Sequence, residues 1–251
     1  MVTAMNFLRW PVVCCLYVIK VIDKISGEIK RCNGVISAKL LEILLVSQRR
    51  RLEEADKLNI GCGDRPVEGW LNIGLFSWRQ YPAGMVRKDD KGSLVLNVDI
   101  NKVSMSYFGD IKYIYASHLI EHLTHEEATA LLEKAYRAMA KGGVIRLACP
   151  DLELWVKKYY ENDKDFFNTY RSIYLQDSPA RTKGDIFMGQ CHGFSHKWNY
   201  DFESLKDMME RAGFVRVSKK IQSSSSIPDI GLLEPSDPGR GLETLYAEGE
   251  K

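Results

Sequence analysis

The stretch NIGCGDRPVEGWLNIGLF, residues 59–76, joins two short apolar segments through a glycine turn. KLNI (57–60) predicts a strand that runs into GCG (61–63), and GWLNI (69–73) predicts the next strand. Glycine is needed where the backbone turns sharply or approaches a ligand closely. G-x-G alone is equally typical of a tight turn and of a turn beneath a nucleotide-type cofactor, so the stretch leaves both interpretations open.

Pro66 restricts the kind of cofactor that this turn could hold. The dinucleotide pattern G-x-G-x-x-G places a third glycine three residues after the second, and that position is Pro66. A pyrophosphate bound at a helix N-terminus is therefore disfavoured. The turn favours a compact cofactor that lacks phosphates.

Strand and helix patterns alternate along the rest of the chain. Strands are predicted at 93–100, 111–120, 144–150, 214–220 and 242–251. Helices are predicted at 34–56, at 124–143 behind a capping box, at two segments after residue 150, and from residue 201 onward. This alternation predicts a mostly parallel sheet with helices on both faces. The last two strands have no helix between them, which predicts an antiparallel hairpin at the sheet edge.

Two further segments carry turn-forming residues. We expect 177–200, which is rich in His, Gly and Lys, to be a loop over the open end of the site, and 222–241 to be a mobile connection.

Composition and charge restrict the function classes. With 251 residues, 45% of them hydrophobic, the chain is long enough for one large domain or for one domain with small additions. A net charge of +2 gives no electrostatic reason to expect nucleic acid as a partner. The six cysteines form no C-x-x-C pair, which predicts reduced thiols in a cytoplasmic protein.

The N-terminal stretch FLRWPVVCCLYVIKVI (7–22) is apolar but too short to span a bilayer. No small-residue cleavage site follows it, which disfavours a secretory signal. Three alternatives stay open: a helix that caps the core, a homodimer contact, and a peripheral membrane anchor.

Several segments, taken in order, resemble the class I S-adenosylmethionine (SAM)-dependent methyltransferases. They are LNIGCG, GWLNI, YASHLIEHL, LLEKAYRAMAKGGVIRLACPDLE, HKWNYDFESLKDMMERAGF and GRGLETLYAEGEK. Within that class the chain is similar to the bacterial group found alongside surface-polysaccharide and glycan biosynthesis. The resemblance runs from about residue 57 to the end, is specific for the fold, and is much less specific for the substrate.

The resemblance implies a fold, a cofactor and an activity. It implies an α/β, Rossmann-like, seven-stranded, mostly parallel sheet in the order 3-2-1-4-5-7-6, formed by a methyltransferase domain (57–251) that follows an N-terminal apolar segment and helix (1–56). The expected cofactor is S-adenosylmethionine, and the expected reaction is O-methylation of a sugar hydroxyl in a glycan or glycolipid precursor. Two alternatives stay open: a small-molecule (secondary-metabolite) acceptor, and a methyltransferase-like domain that binds without turnover.

The resemblance also assigns site residues. The loop beneath the methionine part of the cofactor matches Asn59, Gly61, Cys62 and Gly63. The acid that takes the adenine amino group matches Asp99, with Ile100 against the ring. The wall beside the reactive methyl group matches Ser117 and His118, and the turn behind it matches Glu121 and His122.

Gly74 departs from the family pattern. It stands where the second strand of the family ends in a ribose-binding Asp. A hydrogen bond to a charged group contributes roughly 1.5–3 kcal/mol, so its loss weakens binding by about ten- to a hundredfold. Asp64, Glu68 or the pair at 89–90 could substitute for it; otherwise the cofactor binds weakly, or the domain no longer catalyses.

Methylation of an alcohol needs a base, and histidine is the side chain best suited near neutral pH. We expect His196 to be this base, with His118 next and Asp151 as acid partner or alternative. A structural role is an equally good interpretation of each. No set of His, Asp and Glu has convincing metal-ligand spacing, so no metal site is predicted.

Several aromatic residues could stack on the face of a sugar. Most of them recur at helical spacing, which is more typical of residues buried in a core. They are Trp155, Tyr159, Tyr160, Tyr170, Tyr174 and Trp198.

Overall fold

The computed structural model of the chain describes residues 38–77 and 80–251. The apolar stretch 7–22 and the three alternatives for it lie outside the described residues. Within the described ranges, no helix is long and apolar enough to cross a bilayer.

The described residues form one sheet of eight strands. They are β1 (Lys57–Ile60), β2 (Leu71–Gly74), β3 (Val86–Lys88), β4 (Leu94–Asn97), β5 (Ile111–Ser117), β6 (Met139–Pro150), β7 (Val215–Lys220) and β8 (Thr244–Glu250). Their spatial order is β3-β4-β2-β1-β5-β6-β8-β7.

This order confirms the predicted fold class and adds one strand to it. Without β3, the seven remaining strands, numbered along the chain, follow the predicted order 3-2-1-4-5-7-6. The four pairings among β4, β2, β1, β5 and β6 are parallel, whereas β8 runs antiparallel to β6 and β7. β3 adds an antiparallel edge beside β4, and its three residues are too few to give a periodic signal in the sequence.

The helices pack on both faces of this sheet. They are α1 (Ala38–Ser47), α2 (Arg49–Glu53), α3 (His125–Ala138), α4 (Leu152–Tyr160), α5 (Lys164–Tyr174), α6 (Lys183–His192), α7 (Phe202–Arg211), α8 (Ile230–Leu233) and α9 (Pro238–Glu243). Leu45 of α1 and Leu52 of α2 belong to the same apolar cluster as the strands, so these two helices pack as part of the sheet's own core.

The helix predicted at 124–143 is shorter than expected. The predicted capping box is present at Thr124 and Glu127, but α3 ends at Ala138. Met139 already pairs with Ile111 of β5, so the chain is extended from that residue onward. Gly142, expected to end the helix, instead lies within β6 at a φ of 77°.

Two segments predicted to be irregular carry helices. Residues 177–200 contain α6, which begins with a capping box between Thr182 and Asp185. Residues 222–241 contain α8 and most of α9. The prediction of a mobile connection is wrong for the latter segment, because Glu234 inside it forms a buried ion pair with Arg146 of β6 at 2.6 Å.

Candidate active site

The glycine turn after β1 has the backbone conformation that only glycine adopts readily. The φ angles of Gly61 and Gly63 are 75° and 55°. The amide nitrogens of Gly61 and Cys62 both donate to the carbonyl oxygen of Ile73 in β2, at 2.7 and 3.2 Å. A Cβ on Gly61 would lie 3.0 Å from Leu119, whereas nothing lies within 4 Å of one on Gly63. Gly63 therefore faces open space at the carboxyl edge of the sheet.

Two cavities adjoin this turn. The smaller, about 40 Å³, lies among Asn59, Gly61, Ser117 and Arg240 and is too small for a nucleoside. The larger, about 690 Å³, is bordered by Gly63 and extends toward the end of β2. Its volume lies within the range of roughly 300–1,000 Å³ that is typical of ligand pockets.

The segment that contains α8 and α9 covers the smaller cavity. A guanidinium nitrogen of Arg240 donates to the Ser117 hydroxyl at 3.0 Å, which places a cation beside the glycine turn. Asp237 caps α9 by accepting from the amides of Gly239 and Arg240. Arg65, just after the turn, pairs with Asp237 at 3.2 Å and ties the covering segment to the loop.

Phe76 takes up the space beside Gly74. A Cβ on Gly74 would lie 3.1 Å from the Phe76 ring and 3.5 Å from the Cys62 sulfur. The ring packs edge-on against Tyr81 at a centroid distance of 5.0 Å. Asn97 holds both residues, since its side chain accepts from the Phe76 amide and donates to the carbonyl oxygens of Phe76 and Tyr81. An aromatic ring thus occupies the space into which a side chain at residue 74 would extend.

The carboxylates suggested as substitutes for the family's ribose-binding Asp lie in different places. Asp64, Asp89 and Asp90 all border the larger cavity, but only Asp64 follows the carboxyl end of a parallel strand. Asp89 and Asp90 follow Lys88, which pairs with Leu94 at the amino end of β4. Glu68 borders a separate cavity with Lys57 and other residues at the amino ends of the strands. Of the suggested substitutes, the geometry therefore favours Asp64 and disfavours the other three.

Asn59, expected to contact the cofactor, is also part of a buried polar link between strands. Its amide nitrogen donates to the side-chain oxygen of Asn72 at 2.9 Å. The same oxygen of Asn72 accepts from the amide of Val67, so these contacts fix the loop between β1 and β2. Burial raises the pKa of the Cys62 thiol to about 12, which keeps it neutral.

Asp99 and Ile100 follow β4, as expected for adenine contacts. The Asp99 side chain accepts from the Asn101 amide at the start of a short 3-10 helix (Ile100–Lys102) and contacts Lys102 at 3.2 Å. Ile100 is 5% exposed and belongs to the main core. Neither residue borders the two cavities beside the turn, so their roles toward a cofactor stay predictions.

His118 ends β5 in a strained conformation. Its φ of 48° is unusual for a residue other than glycine, and such conformations cluster at functional sites. Nε2 lies 3.2 Å from the Thr244 hydroxyl, with which it forms a hydrogen bond. Nδ1 lies 3.1 Å from a carboxylate oxygen of Glu121, so the two side chains form a close pair without the alignment of a hydrogen bond.

Glu121, His122 and His196 converge next to His118. One ligand atom from each of the three lies within 4.8 Å of the others. The His122 and His196 rings meet edge to face, with centroids 5.0 Å apart. The segment after α6 reaches this position because the amides of Lys197 and Trp198 donate to the carbonyl oxygen of Glu121. The structure thus brings together two of the three predicted proton-transfer residues, His118 and His196.

Asp151 is held by structural contacts. One carboxylate oxygen accepts from the Leu154 amide and caps α4, and the other lies 2.9 Å from the Lys219 amine. With both oxygens engaged and the side chain buried, the geometry favours a structural role over a role in proton transfer.

Glu243 is a buried carboxyl group next in sequence to Thr244, and sequence reasoning did not single it out. It is 4% exposed and accepts a hydrogen bond from the Trp155 indole at 2.8 Å. Burial raises its pKa to about 7, and the Trp155 hydrogen bond and the charge of His118 oppose the shift. It immediately precedes Thr244, the partner of His118. A carboxyl group of this kind can accept or donate a proton near neutral pH.

The aromatic residues considered for sugar stacking divide by exposure. Trp155 and Tyr170 are buried in a cluster with Phe166 and form part of the core. Tyr160 and Trp198 are exposed, at 88% and 46%. Trp198 packs edge-on against His125 and lies two residues from His196 in the sequence.

Comparisons with known proteins point to weak structural likenesses alone. No protein-family model matches the chain. No curated protein matches it either.

Among solved structures, a SAM-dependent methyltransferase from Archaeoglobus fulgidus is 14% identical, with coverage of 84% of this chain and 94% of that one and a TM-score of 0.44. One from Thermotoga maritima is 17% identical, with 84% and 89% covered and a TM-score of 0.44. Magnesium protoporphyrin IX methyltransferase from Synechocystis is 11% identical, with 85% and 83% covered and a TM-score of 0.42. The strand order of the sheet matches the order that the resemblance implies, and that match does not depend on these distant likenesses.

Proposed function

We propose that this chain is a SAM-dependent methyltransferase that methylates a hydroxyl group. One observation carries the proposal. At the carboxyl edge of the sheet, the open glycine turn after β1 lies beside His118 and Glu121, which follow the end of β5. Open α/β sheets bind their ligands at this edge, where the strand order reverses.

The residues around the turn fit the expected cofactor. Gly63 leaves room for a ligand to approach the backbone, and the larger cavity has the volume for a nucleoside. Asp64 borders the same cavity on the side of the glycine turn. Arg240 supplies a cation beside the turn, which suits the carboxylate of the methionine part. We propose that the methionine part of S-adenosylmethionine lies next to Gly61 and Arg240, and that its nucleoside occupies the larger cavity.

The chain's own contribution to the reaction is to position the acceptor and remove its proton. When bound, S-adenosylmethionine supplies an electrophilic methyl group that is transferred by in-line displacement. His118 accepts the proton of the acceptor hydroxyl at Nε2, and the neighbouring Glu121 carboxylate stabilises the imidazolium that results. Glu243 is the alternative proton acceptor, because its pKa of about 7 suits the task.

For the acceptor, we propose a sugar hydroxyl of a glycan or glycolipid precursor. The resemblance to methyltransferases of surface-polysaccharide biosynthesis supports this class, and exposed Trp198 offers a ring on which a sugar could stack. A secondary metabolite with a free hydroxyl is the alternative small-molecule acceptor. A cytoplasmic location, and contact with a membrane or a second copy through residues 7–22, remain predictions.

The activity is tested by incubating the full chain with SAM and a panel of nucleotide sugars and lipid-linked glycans. Mass spectrometry should show the gain of one methylene mass in one class of acceptor. His118→Asn tolerates the positive φ and removes the imidazole, so turnover should fall by about a hundredfold or more with little change in cofactor affinity. His125→Asn, which alters a histidine packed on Trp198, should leave turnover near normal.

The outcomes of that test separate the two proton acceptors. Near-normal turnover in His118→Asn, with a loss in Glu243→Gln, would move the base role to Glu243. A chain that binds the cofactor but methylates no hydroxyl acceptor would instead support the non-catalytic alternative, which the Phe76 ring beside Gly74 favours.

A further inference from the structure

We propose that Glu121, His122 and His196 form a divalent metal site, contrary to the expectation from sequence spacing. Two imidazoles and one carboxylate offer ligand atoms that all lie within 4.8 Å of one another. Three atoms bound to one tetrahedral or octahedral ion at about 2.0–2.2 Å are separated by roughly 3 to 4.5 Å. The observed cluster therefore needs little rearrangement to close around an ion.

The Glu121 carboxylate is the strongest argument for a cation. Its side chain is 1% exposed, and neither oxygen has a hydrogen-bond partner. One oxygen lies 3.1 Å from Nδ1 of His118, but without the alignment of a hydrogen bond. A buried carboxylate costs several kcal/mol unless it is paired, hydrogen-bonded or bound to a metal. A divalent cation would compensate this charge.

His196 is oriented as a metal-ligating histidine usually is. Its Nδ1 lies 2.6 Å from the carbonyl oxygen of Gln190, so Nδ1 carries the proton and donates to that oxygen. Nε2 then presents its lone pair. Phe194 and Ser195, just before it, both have positive φ angles, at 54° and 66°, so the backbone accepts strain to place His196 here.

Other buried polar atoms without partners concentrate in the same region. Among the described residues, the side-chain oxygens in this state besides those of Glu121 belong to Gln190, Asn199 and Tyr200. All three flank or neighbour the segment that carries His196. Native proteins leave few such groups unsatisfied, so the unpartnered oxygens of Glu121 and of the segment around His196 are unusual.

The ligand set indicates the class of ion. Two imidazoles with one carboxylate suit Zn²⁺, Fe²⁺, Co²⁺ or Mn²⁺, and disfavour Ca²⁺ and Mg²⁺, which prefer oxygen ligands. Three protein ligands leave at least one position for another molecule, as in catalytic rather than structural sites.

The role of the ion rests on the proposed function. His118 contacts one oxygen of Glu121, which leaves the other oxygen for the metal and keeps the ion close to the proposed base. An ion here would orient the acceptor hydroxyl and stabilise the negative charge that develops on its oxygen. His196 then acts as a ligand rather than as the predicted base.

The test is a Co²⁺ titration of the full, untagged chain after treatment with a chelator, followed by visible absorption. We expect saturable one-to-one binding with the bands of Co²⁺ ligated by nitrogen and oxygen, and displacement by Zn²⁺. His122→Ala and His196→Ala should each weaken binding by at least about tenfold. His192→Ala, which removes an exposed histidine at the end of α6, is the matched control and should bind normally.

Two results would overturn the proposal: no saturable Co²⁺ binding by the wild-type chain, or equal binding by the His122→Ala and His196→Ala variants. Circular dichroism of each variant establishes that it is folded. Calorimetry with S-adenosylhomocysteine on the same samples separates this proposal from the proposed function. Cofactor binding without Co²⁺ binding contradicts the metal site alone, whereas Co²⁺ binding without cofactor binding contradicts the methyltransferase function alone.

Discussion

Phe76 explains how β2 can end in glycine and still border a ligand cavity. Its ring lies where a side chain at residue 74 would begin, and Asn97 fixes the Phe76 backbone there. The Phe76 ring, and no carboxylate at residue 74, therefore forms this part of the cavity wall.

The position of the Phe76 ring predicts how Gly74→Asp changes cofactor affinity. The single substitution should not tighten S-adenosylhomocysteine binding, because the new side chain and the Phe76 ring compete for the same space. Gly74→Asp combined with Phe76→Ala should tighten binding by about ten- to a hundredfold, since one charged hydrogen bond contributes roughly 1.5–3 kcal/mol.

Calorimetry on the wild type, both single variants and the double variant measures whether the two substitutions affect cofactor affinity independently. If Gly74→Asp alone tightened binding as much as the double variant, Phe76 would not be the obstacle. If the double variant bound like the wild type, a carboxylate already present would supply the ribose contact.

Site residues could be predicted from the sequence where their role depends on local contacts, and could not where it depends on contacts with residues far away in the chain. Gly61 and Gly63 could be assigned from the sequence because a turn conformation is local. Glu243 and Arg240 could not, because their place beside His118 and Ser117 depends on how the covering segment folds back on the sheet. Asp151 carried a helix-cap signal, and that local role is the one its contacts support.

At the scale of elements, Arg146 fixes the segment that covers the site. It is fully buried on β6 and binds Glu234 through two nitrogens, at 2.6 and 2.9 Å. It also donates to the carbonyl oxygens of Ile221 and Ser224 and contacts Glu248 at 3.4 Å. These contacts order residues 222–241, which sequence composition alone predicted to be mobile.

Arg146→Met should therefore lower the free energy of unfolding by about 3–5 kcal/mol, because it leaves buried carboxylates without their cation. Arg216→Met is the matched control: its pair with Glu250 is exposed, and its loss should cost at most about 1 kcal/mol. Urea unfolding followed by tryptophan fluorescence compares the two variants. Equal losses would show that the buried network does not stabilise the covering segment.

Element boundaries were predictable where hydrophobic periodicity was strong. Strands β1, β5, β7 and β8 and helix α7 lie close to the predicted ranges. The short strand β3 and helix α6 were missed: the first has three residues, and the second carries apolar residues without a clear amphipathic stripe. The early end of α3 depends on pairing with β5, which no local signal encodes.

At the scale of the whole molecule, the sheet order brings the two halves of the site together. β1 lies between β2 and β5, so the glycine turn, the Phe76 wall and the histidine cluster all meet at one edge. The alternation of strands and helices predicted a mostly parallel sheet, whereas the order of its strands was predicted only through the resemblance. The metal-ligand cluster was not predictable in the same way, because His196 is 74 residues from His122 in the sequence and reaches it through the segment after α6.

The central claim is that the glycine turn after β1 binds S-adenosylmethionine, and two glycines provide a matched pair to test it. Gly63 and Gly142 both have positive φ, at 55° and 77°, and at both residues nothing lies within 4 Å of the point that a Cβ would occupy. A leucine at either residue carries a similar backbone strain, but only Gly63 borders the larger cavity.

The decisive measurement is a calorimetric titration of wild type, Gly63→Leu and Gly142→Leu with S-adenosylmethionine and S-adenosylhomocysteine. We predict saturable one-to-one binding by the wild type and by Gly142→Leu, and at least about a tenfold loss of affinity, or 1.4 kcal/mol, in Gly63→Leu. No binding by the wild type at millimolar cofactor, or equal affinity in all three proteins, would contradict the account.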